Sequence, residues 1–266
     1  MENDASSTKS EKKIVLIRHG CTFMNEYLDT QGTRWGDANF TDIFHPSQHD
    51  IYKDSPLSEK GKQQAQELHD FFHAKDGKDM IENIDIVAVS PLTRTLETME
   101  IGVLPHLRNS SKNVPIVALP LATERVYLIS DHGKCRLELA QKYVYVDFEK
   151  EFEKFEREWW FTTHEHDGGD QDDNIHSFTS LHKDSYQEWR PSDENQTYSC
   201  HGEPDDLFEA RMMELYKWLE SRNEDMICLI CHWGVLDWLT GKDFKNCEVK
   251  QVSFSDIQRK VEKRIQ

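Results

Sequence analysis

Ile14-Val15-Leu16-Ile17-Arg18-His19-Gly20 is the stretch that decides the fold. Four aliphatic residues in a row stop at a cation, an imidazole and a glycine. A run that is apolar at both alternating positions suits a strand buried on both faces, as in a parallel sheet. Two further runs have this form. Ile84-Asp85-Ile86-Val87-Ala88-Val89 leads into Ser90-Pro91-Leu92-Thr93-Arg94, and Met226-Ile227-Cys228-Leu229-Ile230 leads into Cys231-His232. Residues 115–119 read as a shorter strand, and a final strand is expected within 248–254. Helical patterns alternate with the strands. Ser58 caps a helix bearing Ala65, Leu68, Phe71 and Phe72 at helical spacing. Pro91 opens a second helix that ends near Leu104-Pro105, and Pro204 opens a third with Phe208, Met212, Leu215 and Leu219 on one face. Phe148, Phe152, Phe155 and Trp159 have the stripe spacing of another helix. This alternation predicts an α/β fold, a mainly parallel sheet with helices on both faces.

The chain of 266 residues carries 32 Lys and Arg against 49 Asp and Glu, a formal net charge of −17. That balance argues against a general nucleic-acid interface, which needs a basic face. No apolar run approaches the ~20 residues of a bilayer span, so no membrane contact is expected. Residues 1–12 hold few large apolar side chains and read as a disordered leader without a signal peptide's apolar segment. Six cysteines are too sparse for a disulfide scaffold, which with the leader predicts a reduced, cytoplasmic protein. Residues 13–254 are expected to form one domain, and 255–266 a tail. Residues 29–56 form a long loop, and 163–200, acidic and aperiodic, a loop-rich insertion.

Ligands of open parallel sheets bind beyond the carboxyl ends of the strands. Three strand ends here carry Arg18-His19, Ser90 through Arg94, and His232. Two arginines and two imidazoles converging there would make a small cationic pocket in an anionic chain. Such a pocket suits a phosphoryl group, because guanidinium presents a planar fork to its oxygens.

Arg18-His19-Gly20-Cys21-Thr22-Phe23-Met24-Asn25 resembles the R-H-G-x-T-x-x-N signature of the histidine phosphatase superfamily, phosphoglycerate mutase-like branch. Asp54-Ser55-Pro56-Leu57-Ser58-Glu59-Lys60-Gly61 resembles its D-x-P-L-[ST]-x-x-G segment. Ser90-Pro91-Leu92-Thr93-Arg94-Thr95-Leu96-Glu97-Thr98 resembles S-P-L-x-R-[AT]-x-x-T, and Ile230-Cys231-His232-Trp233-Gly234 the second-histidine motif. The resemblance implies a phosphoglycerate mutase-like fold and a phosphatase acting on a small phosphorylated substrate, with no cofactor. No metal is expected to take part, because the pocket already holds cationic side chains and no ligand set has metal spacing. His19 would be phosphorylated, which requires its imidazole unprotonated. Arg18, Arg94, Asn25 and His232 would hold the phosphoryl oxygens, each such donor being worth about 3–4 kcal/mol in the transition state. Glu124 would protonate the leaving oxygen, with Asp131 and Glu138 as rivals. Residue 231 is Cys where Ser or Thr is common, and Trp233 stands where Gly or Ala is common and would narrow the pocket. Glu124-Arg125-Val126-Tyr127 echoes a mutase motif, so phosphoglycerate mutase-type transfer is the alternative reading. A catalytically inactive binding module is the second alternative.

Two further motifs compete. Cys228-Leu229-Ile230-Cys231-His232 matches the haem-attachment pattern, but an odd spacing in a strand turns the cysteines to opposite faces. His164-Glu165-His166-Asp167 fits neither a zinc-protease helix nor an EF-hand and reads as a solvated loop.

Overall fold

β1 (Lys13–Arg18) pairs in parallel with β4 (Met226–Cys231), and β4 in parallel with β2 (Ile86–Val89). On the far side, β2 pairs in parallel with β3 (Ile116–Ala118). At the other edge, β5 (Val249–Ser253) runs antiparallel to β1. The five strands lie in the order β3-β2-β4-β1-β5. The structure, a computed structural model, describes residues 11–30, 51–153, 159–160 and 203–265. Most of the leader, residues 31–50 of the long loop, Phe155 of the aromatic stripe and the whole 163–200 stretch lie outside the described residues.

The register explains why the strand ends meet. Ile17 faces Ile230 and Arg18 faces Cys231, so His19 and His232 follow side by side. Val89 pairs with both Ile230 and Ala118, which brings Ser90 and the chain after β3 to the same edge. Backbone bonds continue the ladder past the strands: His19 N–H donates to Cys231 O at 3.1 Å, and Ser90 N–H to Ile230 O at 3.0 Å.

Alternate residues of each strand face opposite layers. Val15, Ile17, Val87, Val89, Cys228 and Ile230 pack on one side. They meet Leu68 and Phe72 of α2 (Glu59–His73) and Leu96 and Met99 of α4 (Thr93–Gly102). Ile14, Leu16, Ile86, Ala88, Ile227, Leu229 and Cys231 pack on the other. They meet α7 (Asp205–Ser221), α8 (Trp233–Thr240) and α9 (Phe254–Ile265). Each fully buried aliphatic side chain contributes about 1.5–3 kcal/mol, so the central strands hold the molecule together. Cys228 and Cys231 lie in opposite layers as free thiols, the arrangement that excludes a haem attached to both.

Three elements depart from expectation. Residues 255–266, read as a tail, are helical through Ile265 as part of α9, with Ile257 and Val261 buried against the sheet. Their many charges mask an apolar spacing of three and four residues. The aromatic stripe from Phe148 does not start a helix. Asp147 instead bridges to β3, with Asp147 N–H on Ile116 O and Ala118 N–H on Asp147 O. Its Oδ1 accepts from Glu149 and Lys150 N–H, turning the chain so that Phe148, Phe152 and Trp159 are buried in the core by another route. Finally, the helix after β2 stops at Gly102, and α5 (Leu104–Arg108) begins with Pro105 in its first turn. Proline lacks the N–H to continue α4 but suits the start of a new helix. The structure adds two short helices, α3 (Lys75–Glu82) and α6 (Arg136–Lys142).

Candidate active site

His19 leaves β1 almost completely buried, with 4% of its surface exposed. Its Nδ1–H donates to Gly20 O at 2.7 Å, which leaves Nε2 as the unprotonated nitrogen. Burial holds its pKa well below the usual imidazole value, reinforced by Arg94 and then Arg18. Burial therefore outweighs the neighbouring arginines in keeping this ring neutral. The loop that carries the ring is clamped from three directions. Gly20 N–H donates to Thr98 Oγ1 of α4 at 3.0 Å, Cys21 N–H to Gln64 Oε1 of α2 at 2.8 Å, and Asn246 Nδ2–H to His19 O at 3.0 Å. A side chain at residue 20 would put Cβ 2.8 Å from Gly61 O, so this approach needs glycine.

His232 is fully buried, its ring centroid 5.2 Å from that of His19. Its Nδ1 accepts from Arg94 Nε–H at 3.2 Å, and its Nε2–H donates to Ser90 Oγ at 2.7 Å. Burial, then Arg94, pushes its pKa well down. Both nitrogens are thus engaged within the protein, and His232 is not among the residues that line the cavity.

Arg94 is held on α4 by three bonds: Nε to His232, Nη1–H to Ser130 O at 2.6 Å, and Nη2–H to Asp131 Oδ1 at 2.9 Å. A guanidinium has five N–H donors, so two remain for an anion. Arg18 donates from Nη1 to Phe244 O at 2.6 Å, while its buried Nε has no partner. A buried cationic donor left unmatched suits an anionic ligand. Asn25 lines the same cavity, and its Oδ1 accepts from Thr22 N–H at 3.1 Å in a capping box at the start of α1 (Phe23–Leu28).

Glu124 follows the short turn Pro120–Ala122 after β3. Its Oε1 accepts from Arg125 N–H at 3.0 Å and its Oε2 from Gly234 N–H at 3.3 Å. A Cβ on residue 234 would sit 2.5 Å from Glu124 Oε1, so glycine there lets the carboxyl reach the start of α8. Burial, aided by the nearby Asp131 charge, raises the Glu124 pKa. Of its rivals, Asp131 is spent on Arg94 and on the N–H groups of Tyr127 and Leu128. Glu138 is exposed on α6 and does not line the cavity.

The structure thus gathers Arg18, His19, Asn25, Arg94 and Glu124 around one cavity of about 630 Å³, with His232 in contact behind Arg94. Trp233, Trp238 and Phe208 line it too. Trp233 is 43% exposed and bonded to Asp243 Oδ1 at 2.7 Å, so it forms a wall at the mouth rather than a plug beside His232.

Sequence reasoning missed the support behind Glu124. Arg211 and Glu203 form a buried pair, 4% and 3% exposed at their side chains, 2.6 Å apart. Arg211 also donates to Leu121 O at 3.0 Å and Thr123 O at 2.7 Å, and Glu203 accepts from Val126 N–H at 3.3 Å. The signal was present, an arginine inside the apolar stripe of α7 between Phe208 and Met212. Arg211→Leu leaves Glu203 a buried unpaired charge. Urea unfolding should show a loss of about 3–5 kcal/mol; a change below ~1 kcal/mol would refute this role.

A largely parallel α/β sheet with a cationic, imidazole-bearing cavity at its carboxyl edge is the class defined here. Residues 14–109 match the family model of the histidine phosphatase superfamily (branch 1), a span holding Arg18, His19, Asn25 and Arg94. No curated protein matches the chain. Among solved structures, the alpha-ribazole phosphatase from Shigella flexneri is similar at 18% identity, covering 91% of this chain and 90% of that one, TM-score 0.45. The ecdysone phosphate phosphatase from Bombix mori, in complex with tungstate, is 15% identical, with 90% and 88% covered and a TM-score of 0.44. The phosphoglycerate mutase from Thermus thermophilus is 17% identical, with 90% and 92% covered and a TM-score of 0.40. Among the described residues no helix is long and apolar enough to cross a membrane.

Proposed function

We propose that this chain hydrolyses a small phosphate monoester through a phosphohistidine at His19. The observation that carries this reading is the state of His19: buried, neutral, its Nδ1–H fixed on Gly20 O, and flanked by two arginines. The Nε2 lone pair attacks phosphorus as the ester P–O bond breaks. Arg18 and Arg94 hold the phosphoryl oxygens while charge moves onto the leaving oxygen, which takes the Glu124 proton. Glu124, now a carboxylate, accepts a proton from water, the water oxygen attacks phosphorus, the N–P bond breaks, and inorganic phosphate leaves. No step calls for a metal. The cavity leaves room beyond the phosphoryl group, with Trp233, Trp238 and Phe208 giving the organic part an apolar wall.

A screen over sugar phosphates, nucleotides, phosphoglycerates and phosphopeptides, with and without EDTA, tests the reading. Phosphate release that survives EDTA is expected. Isomerisation of phosphoglycerate in place of hydrolysis would favour the mutase alternative, and no turnover of any ester would favour a binding module.

The pKa directions set the pH dependence. Phosphorylation needs His19 neutral and Glu124 protonated. The His19 pKa lies well below its usual value and that of Glu124 above its usual value. kcat/KM for an alkyl phosphate should rise through the lowered His19 pKa and fall as Glu124 ionises. Glu124→Gln should remove the falling limb. A falling limb that persists in this variant would exclude Glu124 as its source.

A further inference from the structure

We propose that His69, His73 and His106 form a binding site for a divalent transition-metal ion of the zinc type, which ties the last turns of α2 to α5. His69 and His73 stand four residues apart on α2, and that spacing puts both imidazoles on one face. His106 comes from the neighbouring α5. Ligand nitrogens of the three rings all lie within 4.8 Å of one another. His69 Nε2 and His73 Nε2 are 3.1 Å apart. The ring centroid of His106 lies 4.5 Å from that of His69 and 4.6 Å from that of His73.

A tetrahedral zinc ion with Zn–N bonds of about 2.0–2.1 Å needs ligand nitrogens roughly 3.4 Å apart. The His69–His73 pair is already at that scale. The third must turn: His106 Nε2–H donates to His69 O at 3.1 Å, so half-buried His106 ligates through Nδ1 or by giving up that bond. A separate observation points the same way. His69 Nδ1 is buried and has no hydrogen-bond partner, so no protein group competes with an ion for that nitrogen, while Nε2 is the atom set toward His73. The group has no carboxylate among the described residues. Three imidazoles suit Zn²⁺, Ni²⁺ or Cu²⁺, with a fourth position for water, and suit Mg²⁺ or Ca²⁺ poorly, since these take oxygen ligands.

None of the three histidines lines the active-site cavity. His69 lies eight residues, about 12 Å, along α2 from Gly61, whose turn supports the loop of His19. The ion would therefore brace the support of the site and take no part in the chemistry. This inference does not rest on the phosphatase reading.

The test uses the full chain, stripped with EDTA and titrated with Zn²⁺ or Co²⁺ alone. Micromolar Zn²⁺ should raise Tm, and Co²⁺ should give the visible absorption of a tetrahedral site. His73→Gln is the first variant because its side chain is exposed and its metal-free Tm should match the parent; His106→Gln is the second. An outer-shell partner alone is commonly worth roughly 10–100-fold in metal affinity, so losing a ligand should cost at least that much. Binding no tighter than millimolar would overturn the proposal. So would tight binding unchanged in both variants, which would place the metal on other histidines, such as His164 and His166.

Discussion

His19→Ala is expected to remove phosphate-ester hydrolysis, by a factor on the order of 10⁴–10⁶, the scale on which loss of a covalent nucleophile acts. The substitution leaves the rest of the pocket in place. Arg94 keeps its bonds to Ser130 and Asp131, and Arg18 its bond to Phe244. The variant should therefore still bind a phosphate ester or an oxyanion such as tungstate while failing to turn substrate over. Fold and binding together serve as the control: a drop in rate with binding retained locates the loss in chemistry. Substantial turnover by His19→Ala would mean that water attacks the ester directly, with the two arginines as a binding cradle, and the covalent route would fall.

Glu124→Gln is the second large effect, and its size should depend on the leaving group. An alkoxide leaves poorly and needs its proton in the transition state, whereas a nitrophenolate is stable as an anion. The variant should slow phosphorylation of the enzyme by an alkyl phosphate by about 10²–10⁴-fold. It should slow the pre-steady-state burst of p-nitrophenol far less. The burst is the right readout because breakdown of the phosphohistidine also uses Glu124, as a base, so steady-state rates mix the two roles. Glutamine keeps the side chain's length and can still accept from Gly234 N–H, so misplacement of α8 is not the expected cause. Equal slowing of both bursts would give Glu124 a structural role. No slowing of either would move the acid to another group, and Asp131, bonded to Arg94, Tyr127 and Leu128, would have to break those bonds to serve.

What the sequence made legible follows from where its signals are local. β1, β2 and β4 announce themselves because each is apolar at successive positions, and a run buried on both faces leaves that mark over a few residues. Their polar ends could be read for the same reason, and the register that joins His19 to His232 follows once the strands are parallel neighbours. Long-range support left fainter marks. The grip of Asp131 on Arg94 spans 37 residues, and the bonds from Arg211 to Leu121 and Thr123 span 90 and 88. No local period encodes such contacts; a charged residue in an apolar stripe is the trace that Arg211 left. The acceptor for His19 Nδ1 was also invisible, because it is the carbonyl of the next residue, set by backbone angles rather than by a side chain. Phe148 and Phe152 misled in the opposite way: aromatic spacing fitted a helix from Phe148, but Asp147 captured the backbone for the edge of the sheet.

The central claim is a covalent phosphoryl group on one named nitrogen, and trapping it is the most direct measurement. Enzyme mixed with a radiolabelled phosphate ester, quenched in alkali within one turnover and digested, should yield a labelled peptide containing residue 19. A phosphoramidate at histidine is acid-labile and survives alkali, so the label should vanish on acid treatment, and no label should form in His19→Ala. Label on any other residue, or single-turnover release of phosphate with no label above background at any time, would contradict the account.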